Sequence, residues 1–200
     1  MIRDVQLVFA EGLLDRLVAV RLLAVMNLQV VGSVTDAGGG DRFWQRIQGY
    51  NKAAAIGVIF ALADHDSVSC VGPTLAQRIP KRHSNLVLRL AVPEIEAWLL
   101  SDVEAMSRFL GVSVKKIPTN PDAVDDPKRE IVNLARRSAR AEIRDALVPD
   151  GRGTAAVGSE YTLVMSEFIE FHWRPHIAAR RSESLRRAMK ALCSATGVKL

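Results

Sequence analysis

Two aspartates follow directly on the most apolar segment of the chain. Residues 55–63 carry no charge and are followed by Asp64, His65 and Asp66. A short apolar run with a polar boundary is typical of a buried parallel strand, and ligands of open α/β sheets collect beyond the carboxyl ends of such strands. Because side chains two apart in an extended chain point to the same side, Asp64 and Asp66 can converge while His65 points away. Paired carboxylates of this kind suit a hard divalent cation such as Mg²⁺.

A glutamate ends a second apolar segment in the same way. Residues 5–10 read as a strand, and Glu11 follows them immediately, ahead of Gly12 and a helical pattern. If the first and third strands are neighbours, Glu11 approaches the two aspartates, and three carboxylates can share one or two metal ions. The alternative is that Glu11 is a helix-start acid stabilised by the helix dipole.

A third group of acids opens the helix that should follow the fourth strand. Glu94 and Glu96 come after Pro93 and precede an apolar segment. They lie about 200° apart on a regular helix, so only one can point inward, and we favour Glu96 as the ligand over Glu94. Acids in a first helical turn also suit the helix dipole without any ligand.

The elements that must position these residues alternate along the first half of the chain. Strands are predicted at residues 5–10, 28–34, 56–63 and 86–92, and helices at 13–26, 42–52 and 70–79. Asp41 is expected to cap the second helix, and Pro93 to occupy the first turn of the helix after strand four. This alternation predicts an α/β fold with a mostly parallel sheet flanked by helices.

Beyond about residue 111 the pattern becomes helical. Helices are predicted at residues 127–147, 160–173 and 182–193, with a glycine-rich linker around 150–154. We therefore expect an α/β domain over residues 1–117 and a C-terminal helical extension over 118–200 that packs on it.

Composition is that of a folded globular chain: 48% of the residues are hydrophobic and 24% charged. No apolar stretch reaches the roughly 20 residues that a membrane span requires, and the amino terminus lacks a secretory pattern. Two separated cysteines, Cys70 and Cys193, predict neither a disulfide scaffold nor a zinc site, which favours a reducing cytoplasm. The sequence pI of about 9.6 and the basic segment 171–200 favour an acidic partner, although a solvated helix face would look the same.

The order of these signals resembles the Toprim fold. Within it, the chain is most similar to Toprim-like proteins related to the nuclease half of the overcoming-lysogenisation-defect family. The most distinctive stretches are Pro-Glu-Ile-Glu-Ala-Trp-Leu-Leu at 93–100 and Asp-Pro-Lys at 126–128, and the resemblance covers roughly residues 5–130. It implies a Rossmann-like sheet, Mg²⁺ or Mn²⁺, cleavage of phosphodiester bonds in DNA or RNA, and a role in prokaryotic antiviral defence beside an ABC- or AAA-type ATPase.

The resemblance also assigns roles to single residues. Glu11 matches the first Toprim glutamate, Asp64 and Asp66 match the Asp-x-Asp pair, and Glu96 matches the later acid of the two-metal nucleases. Asp15 lies one helical turn after Glu11, and related nucleases often carry a helper acid there.

Basic residues could contact the nucleic acid. Lys52 and Lys128 are candidates to neutralise charge at the scissile phosphate, although either could be a solvated surface lysine. Four arginines at spacings of seven, four and four form a stripe on the predicted helix 127–147: Arg129, Arg136, Arg140 and Arg144. Such a stripe can track phosphates, or it can form ion pairs within its own helix.

The chain cannot be the ATPase itself. The glycines of residues 38–40 are followed by Asp41 and not by the Gly-Lys-Ser or Gly-Lys-Thr of a phosphate-binding loop. A separate partner is therefore expected, and a homodimer is compatible with the sequence. A competing hypothesis is a non-catalytic, partner-binding or regulatory subunit. A phosphatase or receiver-like domain would need a nucleophile and a lysine that we do not find.

Overall fold

The structure is a computed structural model of the 200-residue chain, and it describes residues 4–65, 70–151 and 153–199. Four strands form one parallel sheet: β1 (Val5–Ala10), β2 (Val34–Asp36), β3 (Val58–Asp64) and β4 (Leu86–Ala91). Their order across the sheet is β2-β1-β3-β4. The α/β class and the parallel, Rossmann-like sheet expected from the sequence are confirmed. The strand order reverses between β1 and β3, which is where ligands bind in sheets of this kind.

The central strand β3 is apolar at every position but its last because helices cover both faces of the sheet. Its side chains alternate between two hydrophobic clusters, with Val58, Phe60 and Leu62 in one. Ile59, Ala61 and Ala63 lie in the other. The continuous apolar run in the sequence is thus the signature of burial on two sides.

The second of these clusters is covered by α2 (Gly40–Ala53) and α3 (Val71–Arg78). The first is covered by α1 (Leu13–Val25), α4 (Ile95–Leu100), α5 (Val103–Leu110) and the helices of the second half of the chain.

Those later helices are α6 (Pro127–Ala135), α7 (Ala141–Leu147), α8 (Tyr161–Glu167), α9 (Pro175–Ala178) and α10 (Glu183–Thr196). A π-helical turn at Phe168–His172 continues α8, and short 3₁₀ turns lie at Val114–Lys116 and Pro121–Ala123. Large side chains such as Trp98 and Trp173 are completely buried between the two halves of the chain. Among the described residues, no helix is both long enough and apolar enough to cross a membrane.

The predicted second strand is largely wrong. Residues 28–34 run alongside β1 and form irregularly spaced backbone hydrogen bonds with it, such as that from the Val31 N–H to the Val5 carbonyl. Before β2 begins they form an isolated bridge at Val30 and, among the described residues, no regular ladder. A Cβ at Gly32 would lie 2.5 Å from the Gln6 carbonyl oxygen, so this segment approaches β1 too closely for a regular ladder with side chains.

The predicted helix over 127–147 is two helices. The chain turns between α6 and α7, where Ser138 Oγ donates to the Leu110 carbonyl and accepts from Arg140 N–H. This long-range contact outweighs the helical propensity of the segment.

Two predicted helix starts also differ. The α2 N-cap is Gly39, and Asp41 lies in the first turn. Pro93 follows a cis peptide bond and lies outside α4, whose N-cap is Glu94.

Candidate functional site

Glu11 and Asp64 meet at the carboxyl edge of the sheet. The Glu11 N–H donates to the Leu62 carbonyl at 2.9 Å, and the Asp64 N–H lies 3.4 Å from Glu11 Oε2. The neighbouring position of β1 and β3 makes this contact possible. The α2 helix begins beside the Glu11 side chain: a Cβ at Gly40, its first residue, would lie 3.1 Å from Glu11 Oε1. The positive end of the α2 dipole therefore lies beside the Glu11 carboxyl group.

Asp64 also holds the start of the helix that carries Glu96. Asp64 Oδ1 accepts from the Ile95 N–H at 2.8 Å. This contact turns the first residues of α4 over the edge of the sheet and points Glu96 inward, where its side chain is 1% exposed. Of the two candidate glutamates, Glu96 therefore faces the cluster, while Glu94 is the N-cap of α4.

Two side chains from the helical extension contact Glu96. The Tyr161 hydroxyl donates to Glu96 Oε1 at 3.2 Å, and Lys128 Nζ lies 3.6 Å from the same oxygen. Sequence reasoning missed Tyr161, because nothing local marks a residue on the apolar side of a helix 65 positions away as a partner of Glu96.

Asp15 lies in the first turn of α1 and is almost fully buried. Its Oδ2 accepts from the Gly12 N–H at 3.1 Å. Its Oδ1 is buried and has no hydrogen-bond partner in the described part of the chain, and the same holds for Glu96 Oε2. Two buried carboxylate oxygens thus lack a partner that their burial should demand.

The carboxylates disfavour one another's charge. Burial, and then the charges of Glu11 and Glu96, raise the pKa of Asp15 to about 8. Burial, then Asp15 and Glu96, raise the pKa of Asp64 well above its ordinary value. Burial alone would lower the pKa of Lys128, but the nearby carboxylates, Glu96 foremost, raise it. The cluster has an excess of negative charge that one lysine only partly offsets.

These donors fit a divalent cation in chemical type: they are hard oxygens, close together and short of positive charge. Within the ranges that the structure describes, no group of three or more His, Cys, Asp or Glu side chains is arranged to hold a metal ion. The fifth predicted ligand, Asp66, lies outside the described residues.

Of the two candidate lysines, only Lys128 lies at the cluster. Lys52 is near the end of α2, about 18 Å along the helix axis from Gly40. Its neighbour Asn51 bonds to Lys81 and His83, ahead of β4 and at the opposite edge of the sheet. Neutralisation of charge at the carboxylates by Lys52 is therefore excluded by its position.

The four arginines do not form one stripe, because the helix that should carry them is broken. Arg129 is in α6, Arg136 and Arg140 flank the turn, and Arg144 is in α7. Arg140 donates to the Phe109 carbonyl and to Glu142, and Arg144 donates to the Ser138 carbonyl. These two stabilise the turn between the helices.

No protein-family model, curated protein or solved structure matches this chain.

Proposed function

We propose that this protein is a metal-dependent nuclease of the Toprim type that hydrolyses phosphodiester bonds in DNA or RNA. The observation that carries the proposal is the convergence of Glu11, Asp15, Asp64 and Glu96 at the switch point of a parallel sheet. Two further observations support it. Asp15 and Glu96 each have an oxygen without a partner among the described residues, and the pKa of Asp15 and of Asp64 is raised. A bound cation would coordinate such oxygens and offset the repulsion between the carboxylates.

Mg²⁺ or Mn²⁺ would be held by these four carboxylates and Asp66. When bound, the metal supplies Lewis-acid activation of the phosphate and of the attacking water.

The protein's own residues position this chemistry. The Ile95 N–H holds one oxygen of Asp64, and the Gly12 N–H holds one oxygen of Asp15, so each carboxylate keeps its other oxygen for a ligand. Tyr161 orients Glu96 by a hydrogen bond. The Lys128 side chain is 40% exposed beside the buried Glu96, so its ammonium group can reach a phosphate that approaches from solvent.

The wider setting of the proposal comes from the sequence resemblance: a cytoplasmic defence system in which a separate ATPase directs the nuclease. A test of that setting is whether an ATPase encoded beside this protein binds it and changes its cleavage.

A second candidate is a non-catalytic, Toprim-like subunit that binds a partner. It is favoured by the finding that the described carboxylates are not arranged to hold a metal as they stand. In that case, the acids at the edge of the sheet are structural.

Cleavage assays separate the two candidates. Plasmid DNA and structured RNA are incubated with the protein in Mg²⁺, Mn²⁺ or EDTA. Asp64→Asn keeps the acceptor for the Ile95 N–H but removes the charge, and it should lower metal-dependent cleavage about a hundredfold or more. Asp145→Asn, an exposed carboxylate on α7, is the matched control and should cleave normally. Metal-dependent cleavage that is equal in the two variants, or no cleavage by the wild type, would contradict the nuclease proposal.

A further inference from the structure

A large cleft lined by described residues runs beside the outer edge of β4. It encloses about 1070 Å³ between α3 and α10. Among the described strands, β4 is the last in the sheet, so none of them pairs with this edge. The lining of the cleft includes His65, which follows Asp64, and Glu94, which is two residues from Glu96. Burial and then the charge of Glu96 raise the pKa of Glu94. The cleft therefore runs close to the carboxylate cluster, while its lining includes none of Glu11, Asp15, Asp64 and Glu96.

Three arginines line the same cleft, and each comes from a different segment. Arg89 is in β4, Arg82 is in the loop before β4, and Arg187 is on α10. Arg187 donates to Glu183 at 2.8 Å, which occupies one edge of its guanidinium group. Within the described ranges, Arg82 and Arg89 form no hydrogen bond or ion pair through their side chains, and the buried Arg89 Nε has no partner.

The surroundings of Arg89 disfavour its positive charge. Burial lowers the pKa of Arg89 first, and Arg82 and Arg187 lower it further. A half-buried guanidinium group without an anion loses hydration that nothing in the described part of the protein replaces. Guanidinium groups bind phosphates through paired N–H donors, so a phosphate at the arginine-lined part of the cleft would offset the charge of Arg89. Carboxylates also line the cleft, and a phosphate must therefore sit at the three arginines and away from them: Glu94, Asp122, Asp125, Asp126 and Glu183.

The position of Arg89 relates this site to the carboxylates. Arg89 pairs with Leu62 and Ala91 pairs with Asp64, so the Arg89 backbone lies about 7 Å along the strands from the level of Asp64. A nucleic-acid strand with one phosphate bound to the arginines can therefore extend along the cleft toward the carboxylates.

We propose that Arg82, Arg89 and Arg187 form a phosphate-binding site in the cleft along β4, which holds the backbone of a nucleic-acid strand whose neighbouring segment reaches the carboxylate cluster. The identification of the ligand as nucleic acid rests on the proposed function, whereas the anion site rests on the arginines alone. The site is separate from Arg129, Arg136, Arg140 and Arg144, which lie in α6, in α7 and at the turn between them.

Binding is measured without cleavage, so that this inference and the nuclease proposal can fail independently. Fluorescein-labelled single-stranded DNA and RNA oligonucleotides are titrated with the protein in EDTA, and anisotropy is followed at several salt concentrations. Arg89→Gln and Arg82→Gln should each weaken binding about tenfold and reduce the slope of log affinity against log salt by about one. Arg137→Gln removes an exposed arginine outside the cleft and should change neither.

Thermal unfolding distinguishes a binding role from a structural one. Because Arg89 lacks a partner, Arg89→Gln should melt at or above the wild-type temperature while it binds less. A lower melting temperature with unchanged binding would overturn the proposal and assign Arg89 to the protection of an exposed sheet edge. Equal binding by all three variants, or no binding by the wild type, would overturn it as well.

A competition arm identifies the source of the phosphate. Inorganic phosphate or a mononucleotide should displace the oligonucleotide only weakly if the strand backbone is the ligand. Displacement at micromolar concentration would overturn the strand assignment and leave a site for a free phosphate compound.

Discussion

At the scale of single residues, the candidate site is a set of carboxylates in which Asp15 and Glu96 each bury one oxygen that has no hydrogen-bond partner among the described residues. Backbone N–H groups hold Asp15 and Asp64, and a tyrosine and a lysine hold Glu96. The backbone N–H groups favour the ionised side chains of Asp15 and Asp64, while burial and nearby carboxylates raise the pKa of both. The balance makes the ionisation of Asp15 and Asp64 sensitive to their surroundings.

Asp15 predicts a particular pH dependence of stability. Its pKa is about 8 in the folded protein and 3.8 in its ordinary state, so the folded chain retains a proton that the unfolded chain loses. Stability in EDTA should therefore be highest below the lower value and fall as the pH rises toward 8. Asp15→Asn should remove up to about 4 kcal/mol of the decline between about pH 5 and pH 8.

Urea unfolding at both pH values measures this effect, with Asp145→Asn as the control. The same decline in wild type and in Asp15→Asn would show that Asp15 is not the responsible group.

The hydrogen bond from Tyr161 to Glu96 predicts that Tyr161 positions the Glu96 carboxylate. Tyr161→Phe removes the hydroxyl that donates to Glu96 and keeps the buried ring, so it should weaken Mn²⁺ binding about tenfold. Calorimetric titration with Mn²⁺ provides the readout. Tyr50→Phe is a matched control because its hydroxyl bonds to Thr35 Oγ1 at 3.0 Å, on a different element. Affinity that falls equally in both variants would point to a general loss of packing.

At the scale of elements, one buried serine of α10 forms hydrogen bonds with the end of β4 and with α4. Ser184 Oγ accepts from the Trp98 indole N–H at 3.0 Å and from the Val92 N–H at 3.1 Å. It also lies 3.4 Å from the Leu90 carbonyl oxygen. The same serine therefore joins α10, the end of β4 and α4, and it borders the cleft that contains Arg89.

Ser184→Ala should destabilise the protein by about 2–3 kcal/mol, because it leaves two donors without their acceptor. Ser194→Ala, on the exposed side of α10, should cost less than about 0.5 kcal/mol. Equilibrium unfolding in urea compares the two, and equal stability would mean that the network around Ser184 contributes little.

At the scale of the whole molecule, the helical extension is tied to the α/β part by buried polar contacts as well as by the shared core. Arg174 donates to both oxygens of Asp102, whose side chain is fully buried. The Trp173 indole donates to the Trp98 carbonyl at 3.2 Å, and Arg21 donates to the Trp173 carbonyl. These contacts and one continuous hydrophobic cluster join the segments 1–117 and 118–200.

We therefore expect the chain to unfold in a single transition. In a Trp44→Phe background, fluorescence reports Trp98 and Trp173, and far-UV circular dichroism reports all helices. The two probes should give the same urea midpoint. Separate midpoints would show that the extension is an independent folding unit.

The sequence by itself determined the class of the fold. The apolar run before Asp64 and the alternation of strand and helix patterns were sufficient for a parallel α/β sheet, because burial on both faces leaves an unmistakable composition in β3. The same reasoning placed Glu11 and Asp64 at one edge, since strand ends in a parallel sheet share an edge. It failed for residues 28–34 and for the helix over 127–147, where close backbone approach at Gly32 and the contact of Ser138 with Leu110 override local propensity.

Only the tertiary structure decided which side chains complete the site. Tyr161 and Lys128 reach Glu96 from the helical extension, and Lys52 is carried to the far edge by the length of α2. The cleft with Arg82, Arg89 and Arg187 likewise joins segments about a hundred residues apart. Contacts of this kind depend on how elements pack, and local patterns in a single sequence contain no record of which distant element covers which face.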